Sequence, residues 1–301
     1  MALSLQVQSV IYNNEKPSLL RAMENLANAA RVDREAGGAL GDLTVCYGDA
    51  SPEPVFSDEE IAAVSERFAP FFRFRYTFFG ENTGSARGHN RLGEVCESDY
   101  MMIMNPDVIV CPTFFGGMLR PFLDPALNAG MTEARQTPVE HPKEYDPKTL
   151  ETDWATTACT IFSRETFLAL HGFDADTFFL YCDDVDFSWR VRLLGKKIYY
   201  RPDCPVFHAK RLSGKGKWQP TAAEVYFSLE ASLLMAYKWN ADDLFHEIYD
   251  RISASDDPTE QKVFRKFQQM KKDGKLPERL DPKHCVSKFI DYQYTEHRFS
   301  L

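Results

Sequence analysis

The sequence lacks several features that would fix its class at once. Its seven cysteines are odd in number, widely spread and without a Cys-x-x-Cys pair, which disfavours both a zinc ribbon and a disulfide scaffold. No stretch reaches the roughly 18 apolar residues of a membrane span, and the N-terminus has no signal-peptide pattern. We therefore expect a protein of the reducing cytoplasm, with the inner face of the membrane as an alternative location.

An excess of positive charge is also missing. The 301 residues carry a formal net charge of -9, which argues against a broad surface for nucleic acid. Internal repeats and low-complexity linkers are not visible. A hydrophobic content of 44% and an aromatic content of 13% are enough for one large domain, or for a domain with an appendage.

Hydrophobic periodicity near the N-terminus predicts strands that alternate with helices. Ser57 and Glu60 fit a capping box at the start of the second helix. Such alternation predicts a largely parallel sheet, in which ligands bind at the carboxyl ends of the strands. The strands are expected at residues 5–12, 43–47 and 71–79 and in a run ending at 105. Polar residues follow these ends at Asn13, Asp49, Asn82 and Asp107.

The densest acidic cluster lies in the second half of the chain. Asp183, Asp184 and Asp186 fall within four residues, and Val206-Phe207-His208 follows further along. Clustered carboxylates and a histidine suit a site that handles a metal ion or a proton. If the cluster begins a helix, the acids also favour the positive end of the helix dipole, which is a structural explanation that can hold at the same time.

Together these patterns resemble the family-2 inverting glycosyltransferases of the GT-A fold, especially the bacterial rhamnosyltransferase-like branch. The resemblance covers roughly residues 7–208 and rests on the order and spacing of several motifs. These are the Asn82-Thr83-Gly84 loop that runs to Asn90, Asn105-Pro106-Asp107, Asp153-Trp154, Gly172-Phe173-Asp174, the acidic cluster with Trp189-Arg190, and His208.

The resemblance implies an α/β catalytic domain with a Rossmann-like, mostly parallel sheet and helices on both faces. We expect this domain over residues 1–215. Residues 1–110 would bind the nucleotide sugar, and residues 111–215 would bind the acceptor. A C-terminal helical extension is expected over residues 216–301.

A divalent cation is also implied, because the leaving diphosphate gains charge as the glycosidic bond breaks. Asp107 matches the last aspartate of the family's Asp-x-Asp motif, while neutral Asn105 replaces the first. His208 is the expected second ligand, and a mixed histidine and carboxylate set favours Mn2+ or Mg2+, manganese being the better match. The structural alternatives are an Asn-Pro turn after a strand and a histidine satisfied in the core.

The acidic cluster aligns with the family's Glu-Asp-x-Asp motif, whose second member is the catalytic base. The resemblance therefore implies that Asp184 removes the proton of the acceptor hydroxyl in a single inverting displacement. Asp183 is a further catalytic candidate. Asp186 is expected instead to pair with Arg190 four residues on.

Sugar recognition is expected from both halves of the domain. The donor-side candidates are Asn13, Asp49, Arg87, Asn90 and Asp107, and the acceptor-side candidates are Trp154, Thr157 and Trp189. Two departures from the family pattern bear on these roles. Gly48 stands where relatives have an aspartate, and Thr157 stands where they usually have glycine, which would narrow or polarise the cleft. Trp189 also has the helical spacing of a core residue.

The pattern changes beyond Trp218, where helices are expected at 224–239 and 241–252. A basic stretch with interleaved Phe264 and Phe267 follows. It would rest on an anionic bilayer that carries a lipid-linked acceptor, or form an ordinary solvated helix face. The basic residues are Lys262, Arg265, Lys266, Lys271, Lys272 and Lys275. Packing against the domain itself, or against a second subunit in a homodimer, is expected for Phe289, Tyr292, Tyr294 and Phe299.

Three classes of function fit these features. The first is a metal-dependent glycosyltransferase that moves a sugar from dTDP-rhamnose or a UDP-sugar to a saccharide or lipid-linked saccharide in surface polysaccharide synthesis. The second is another metal-dependent nucleotide enzyme, a nucleotidyltransferase or phosphohydrolase, which would consume a nucleoside triphosphate or a phosphate ester. The third is a sugar-binding relative without catalysis.

Overall fold

The computed structural model describes residues 2–138, 140, 143–208 and 220–290. Within these ranges the chain forms nine strands and nine α-helices. The strands are β1 Leu3–Ile11, β2 Leu40–Asp49, β3 Arg73–Phe78, β4 Tyr100–Met104, β5 Val108–Val110, β6 Ala129–Thr137, β7 Glu151–Thr152, β8 Cys159–Ser163 and β9 Lys197–His208. The helices are α1 Lys16–Glu35, α2 Asp58–Phe68, α3 Gly84–Glu94, α4 Phe114–Leu119, α5 Arg164–Ala169, α6 Asp183–Leu193, α7 Ala222–Lys238, α8 Asp242–Ser253 and α9 Pro258–Lys272.

The described strands form one sheet in the order β3-β2-β1-β4-β8-β6-β9-β5, with β7 also paired to β9. The strands from β1 to β4 are mutually parallel where they pair, as expected for strands joined by crossover helices. β8 runs antiparallel between β4 and β6, whereas the long pair of β6 and β9 is parallel. The prediction of an α/β fold with a mostly parallel sheet is confirmed. The antiparallel pairings of β8, and of the short β5 and β7 with β9, were not predicted.

Helices cover both faces of the sheet. Side chains alternate along β4, so that Met102 and Met104 enter the core shared with α1, α2 and α4, while Met101 and Ile103 enter the core shared with α3, α5 and α6. The predicted capping box of α2 is present, because the Ser57 hydroxyl accepts from Glu60 N and the Glu60 carboxylate accepts from Ser57 N. Because β1 is parallel to both β2 and β4, the carboxyl ends of these three strands lie at the same edge of the sheet.

Helices α7, α8 and α9 share a third core with α6. Trp189 is 1% exposed. Its ring packs edge-on against Trp239 and Phe289, with ring centroids 5.1 Å and 5.3 Å apart. Phe289 thus packs against its own chain, whereas Tyr292, Tyr294 and Phe299 lie outside the described residues. No helix among the described residues is long and apolar enough to cross a membrane.

The buried carboxylate of Asp186 joins α6 to α7. It accepts from the Arg190 guanidinium at 2.8 Å, which confirms the predicted pair. It also contacts the Lys238 ammonium at 2.6 Å and accepts from the Trp239 indole N–H at 3.0 Å. One member of the acidic cluster is therefore a structural anchor for the helical extension.

Replacing Asp186 with asparagine should destabilise the protein strongly, because Lys238 and Arg190 would lose a buried counter-charge. Breaking a buried ion pair from one side costs roughly 3–5 kcal/mol, and urea denaturation should show a loss of that order in the unfolding free energy. The exposed control Asp256→Asn should change it by less than about 0.5 kcal/mol. Equal stability of the two variants would refute the anchoring role.

Candidate active site

The turn between β4 and β5 brings the expected metal ligands together. Asn105 N donates to Ala158 O at 2.9 Å, and Val108 N closes the turn on Asn105 O at 3.1 Å. Val108 is then paired with His208 at the end of β9. His208 Nε2 consequently lies 3.6 Å from Asp107 Oδ1, so two residues far apart in sequence meet as predicted.

Gln136 orients the His208 ring through the ring nitrogen that faces away from Asp107. Its Nδ1 lies 2.7 Å from Gln136 Oε1, and the Gln136 amide nitrogen donates to Thr156 Oγ1 at 2.9 Å, which fixes the direction of the amide. A carbonyl oxygen only accepts, so the ring proton belongs on Nδ1 when the imidazole is neutral. Nε2, which faces Asp107, is then the basic atom.

Asp107 and His208 would suit a divalent cation whose remaining ligands are phosphate oxygens. Metal-binding histidines are ordinarily held in this way, by a hydrogen bond from the second ring nitrogen. In the described ranges, no group of three or more His, Cys, Asp or Glu side chains suits a metal ion. Cations of this type nevertheless bind through one or two protein ligands when phosphate oxygens complete the shell.

The acidic cluster begins α6, so the structural explanation through the helix dipole applies to it. Tyr181 and Cys182 both have left-handed backbone conformations, with φ of 69° and 59°, and they turn the chain sharply into the helix. Asp183 and Asp184 occupy the first turn and are largely buried. Asp184 Oδ1 accepts from Val185 N at 2.9 Å. Asp183 and Asp184 are thus enclosed at the start of α6, and their catalytic role stays a prediction.

Residues 154–158, here called the linking segment, connect these two parts of the site. Ala155 N donates to Ser188 Oγ at 3.0 Å, and the Ser188 hydroxyl donates to Asp184 O at 2.7 Å. At the other end, Ala158 O accepts the bond from Asn105 that is described above. The segment therefore lies between the start of α6 and the loop of Asp107.

A buried ion pair supports the linking segment, and no pattern in the sequence predicts it. Lys143 Nζ lies 2.6 Å from Glu133 Oε2, and their side chains are 4% and 1% exposed. Burial raises the pKa of Glu133 and lowers the pKa of Lys143, while each charge favours the ionised form of the other. Glu133 lies on β6 and Lys143 in the loop that follows this strand, and their spacing matches no regular helix or strand period.

The acceptor-side candidates occupy different settings. Thr157 is partly exposed within the linking segment, and its contact with the acceptor stays a prediction. Trp154 is 7% exposed, and the Lys143 ammonium covers its ring at 3.7 Å from the centroid. Trp189 lies in the core against Trp239, which is the setting that its helical spacing also predicted.

On the donor side, Asn13 lies just past β1 as expected, whereas Asp49 is the last residue of β2. Asn13 is exposed, and its backbone N–H donates to Ser51 Oγ at 2.8 Å. The Asp49 carboxylate is fully buried and accepts from Ser51 N, Val55 N and the Tyr76 hydroxyl. These bonds hold the loop after β2, so base recognition by the Asp49 side chain stays a prediction.

Arg87 and Asn90 lie on α3. Arg87 is exposed and pairs with Asp176 at 3.2 Å. The Asn90 amide exchanges two 2.8 Å hydrogen bonds with the backbone of Phe173. Asn90 therefore holds the Gly172-Phe173-Asp174 loop, where Gly172 has φ of +74° and a Cβ would lie 2.5 Å from Asn90 Oδ1. Donor binding by these two residues stays a prediction.

No family model matches the chain. The rhamnosyltransferase WbbL of Escherichia coli is 25% identical over 141 residues, which are 38% of this chain and 52% of that protein. The chain thus spans about half the length of the curated relative that it matches.

Solved glycosyltransferase structures share the fold. GalNAc-T7 with UDP, GalNAc and Mn2+ matches 92% of this chain and 56% of its own, with a TM-score of 0.63 and 12% identity. The mannosyltransferase PcManGT from Pyrobaculum calidifontis, in complex with GDP-Man and Mn2+, is also similar. The match covers 90% of this chain and 81% of PcManGT, with a TM-score of 0.52 and 16% identity. The match to residues 1–349 of S. aureus TarS covers 88% of this chain and 71% of the TarS chain, with a TM-score of 0.51 and 10% identity. The chain has the GT-A fold, and its resemblance to family-2-like glycosyltransferases is confirmed.

The His208 tautomer provides a direct check of the site's geometry. At pH 8, above the ordinary imidazole pKa of about 6.5, ring 15N NMR should show His208 protonated on Nδ1. Gln136→Leu removes the acceptor and should alter the His208 ring signals, while exposed His246 should be unaffected. A wild-type His208 protonated on Nε2 would contradict the assigned geometry.

Proposed function

We propose that the chain is an inverting glycosyltransferase that moves a sugar from a nucleotide-diphosphate donor to a glycan hydroxyl, in surface polysaccharide synthesis. The observation that carries the proposal is the linking segment. It joins the start of α6, where Asp184 lies, to the Asp107 and His208 pair. The GT-A fold and the similarity to a rhamnosyltransferase support the same class of reaction.

In this proposal Asp107 and His208 hold Mn2+ or Mg2+ at the donor. The cation supplies positive charge that stabilises the departing diphosphate. Two of the similar structures contain Mn2+, and the imidazole of His208 makes manganese the better match. Gln136 keeps the Nε2 atom of His208 directed at the Asp107 side of the site.

On the acceptor side, Asp184 takes the proton of the attacking hydroxyl. The new bond between the acceptor oxygen and the anomeric carbon forms as the bond from that carbon to the diphosphate breaks. Attack from the opposite face inverts the anomeric configuration, and no covalent intermediate with the protein is required. Asp183 assists from the same turn of α6, and Thr157 faces the acceptor from the linking segment.

The donor is dTDP-rhamnose or a UDP-sugar, and the acceptor is a saccharide or a lipid-linked saccharide. A lipid-linked acceptor would bring the protein to a membrane, where the basic stretch of helix α9 could make contact. Its Phe267 side chain is buried and Phe264 is half-buried, so the aromatic residues of the basic stretch face the protein. Lys262 and Arg265 are exposed, and Lys266 pairs with Glu230 at 2.9 Å. Any contact with the inner face of a membrane would therefore be electrostatic.

Asp184→Asn should abolish transfer while preserving donor binding. General-base catalysis contributes about 10²–10⁴-fold, and kcat should fall by at least that range. The donor is first identified by thermal shift with a panel of nucleotide sugars and nucleoside triphosphates, because a bound ligand raises the melting temperature. The surface control Asp256→Asn should transfer normally.

Two results would overturn the assignment of Asp184. One is transfer by Asp184→Asn at the wild-type rate. The other is stabilisation by a nucleoside triphosphate that the protein consumes without any sugar, which would favour a nucleotidyltransferase or phosphohydrolase.

Asp107→Ala and His208→Ala should each weaken Mn2+ binding by at least about tenfold, since each removes a proposed ligand. Electron paramagnetic resonance of free Mn2+, in titrations of the purified protein with a nucleoside diphosphate present, measures this without reference to transfer. His246→Ala, on the exposed face of α8, is the matched control. Unchanged Mn2+ affinity in both site variants would refute the metal assignment.

A further inference from the structure

The Lys143–Glu133 pair is costly to bury, and its stability contribution alone does not account for it. Both side chains are almost wholly removed from solvent. Removing two ions from water costs several kcal/mol each, and apolar residues of similar volume often serve the fold equally well. The contacts of the pair indicate what else it does.

The pair forms hydrogen bonds with both ends of one tripeptide in the linking segment, residues 154–156. The Lys143 ammonium donates to the carbonyl oxygen of Trp154 and lies over its ring. Glu133 Oε1 accepts from the backbone N–H of Thr156 at 2.9 Å. The residue between them, Ala155, donates its N–H to the Ser188 hydroxyl oxygen at 3.0 Å, and its own carbonyl oxygen lies 3.3 Å from that hydroxyl.

Two branches run from this tripeptide to the proposed reacting groups. Ser188 donates to the carbonyl oxygen of Asp184 at 2.7 Å, which ties the tripeptide to the first turn of α6. Thr156 Oγ1 accepts from the Gln136 amide, whose oxygen faces the ring of His208 at 2.7 Å. The tripeptide therefore touches both the acceptor side and the donor side of the site.

We propose that the Lys143–Glu133 pair is a positioning device, which fixes residues 154–156 and thereby the placement of Asp184 relative to His208. The inference rests on the proposed function. Neither Lys143 nor Glu133 is assigned a contact with substrate. Burial lowers the pKa of Lys143, and the carboxylates of Glu133, Glu140 and Asp184 counter that effect, so Lys143 is also within electrostatic reach of the base.

The test separates positioning from stability with a charge-free pair. The double variant Lys143→Met/Glu133→Gln removes both buried charges at nearly constant volume and should unfold near the wild-type urea concentration. Misplacement of reacting groups by about 1 Å can cost 10²-fold, so we expect kcat to fall roughly 10–100-fold with donor KM within about twofold. A double variant that is folded and retains wild-type kcat would overturn the inference.

A matched control exists on the surface. Lys197 and Glu151 also form a pair at 2.6 Å, but both side chains are exposed. Lys197 begins β9 and His208 ends it, so this pair lies at the opposite end of the strand from the Asp107 and His208 pair. Lys197→Met/Glu151→Gln should leave kcat unchanged, and a fall equal to that of the buried double variant would remove the case for a specific role.

Two measurements keep the test decisive if the buried double variant folds poorly or transfer is not seen. Ser188→Ala cuts the branch to Asp184 with a minimal change and should also lower kcat; unchanged kcat would overturn the inference. Ring 15N NMR of His208, which does not require transfer, should change in the single variant Lys143→Met and not in the surface pair. Unchanged His208 signals would likewise overturn it. Wild-type protein that transfers no sugar overturns the proposed function, whereas transfer with unaffected variants overturns only the positioning role.

Discussion

The hydrogen bonds of residues 154–158 to three separate elements are the constraint on which the candidate site depends. The segment is bonded to α6 through Ser188, to β6 through Glu133 and to the end of β4 through Asn105. Because its own backbone groups make these bonds, the segment cannot shift without breaking several at once. It thus sets where the acidic helix start lies relative to the Asp107 and His208 pair.

The acidic cluster has divided roles that its sequence alone left open. Asp186 points away from the site and binds cations of α6 and α7 in the core, so it holds the helical extension on the sheet domain. Asp184 and Asp183 occupy the same helical turn beside the linking segment. The acidic cluster therefore has two kinds of role on different residues. Asp186 is structural, whereas Asp184 and Asp183 carry the chemical role that we propose.

Local patterns predicted much of the fold. The periodicity of strands and helices as far as β4, the capping box of α2 and the Asp186–Arg190 pair are all near-neighbour effects, and the structure contains each of them. Long-range contacts were less accessible. The antiparallel insertion of β8, the use of Asp49 and Asn90 as loop anchors and the Lys143–Glu133 pair depend on which segments meet in space. The meeting of Asp107 with His208 was predicted through a family resemblance, because spacing alone carries no such information.

The central claim is that a carboxylate at the start of α6 drives a single displacement on a nucleotide sugar. The stereochemistry of the product tests it most directly. With the donor that the wild-type protein binds and a saccharide acceptor, NMR of the new glycosidic linkage should show an anomeric configuration opposite to that of the donor. A linkage with the donor's own configuration would contradict the account, since it requires a second displacement or a different face of attack.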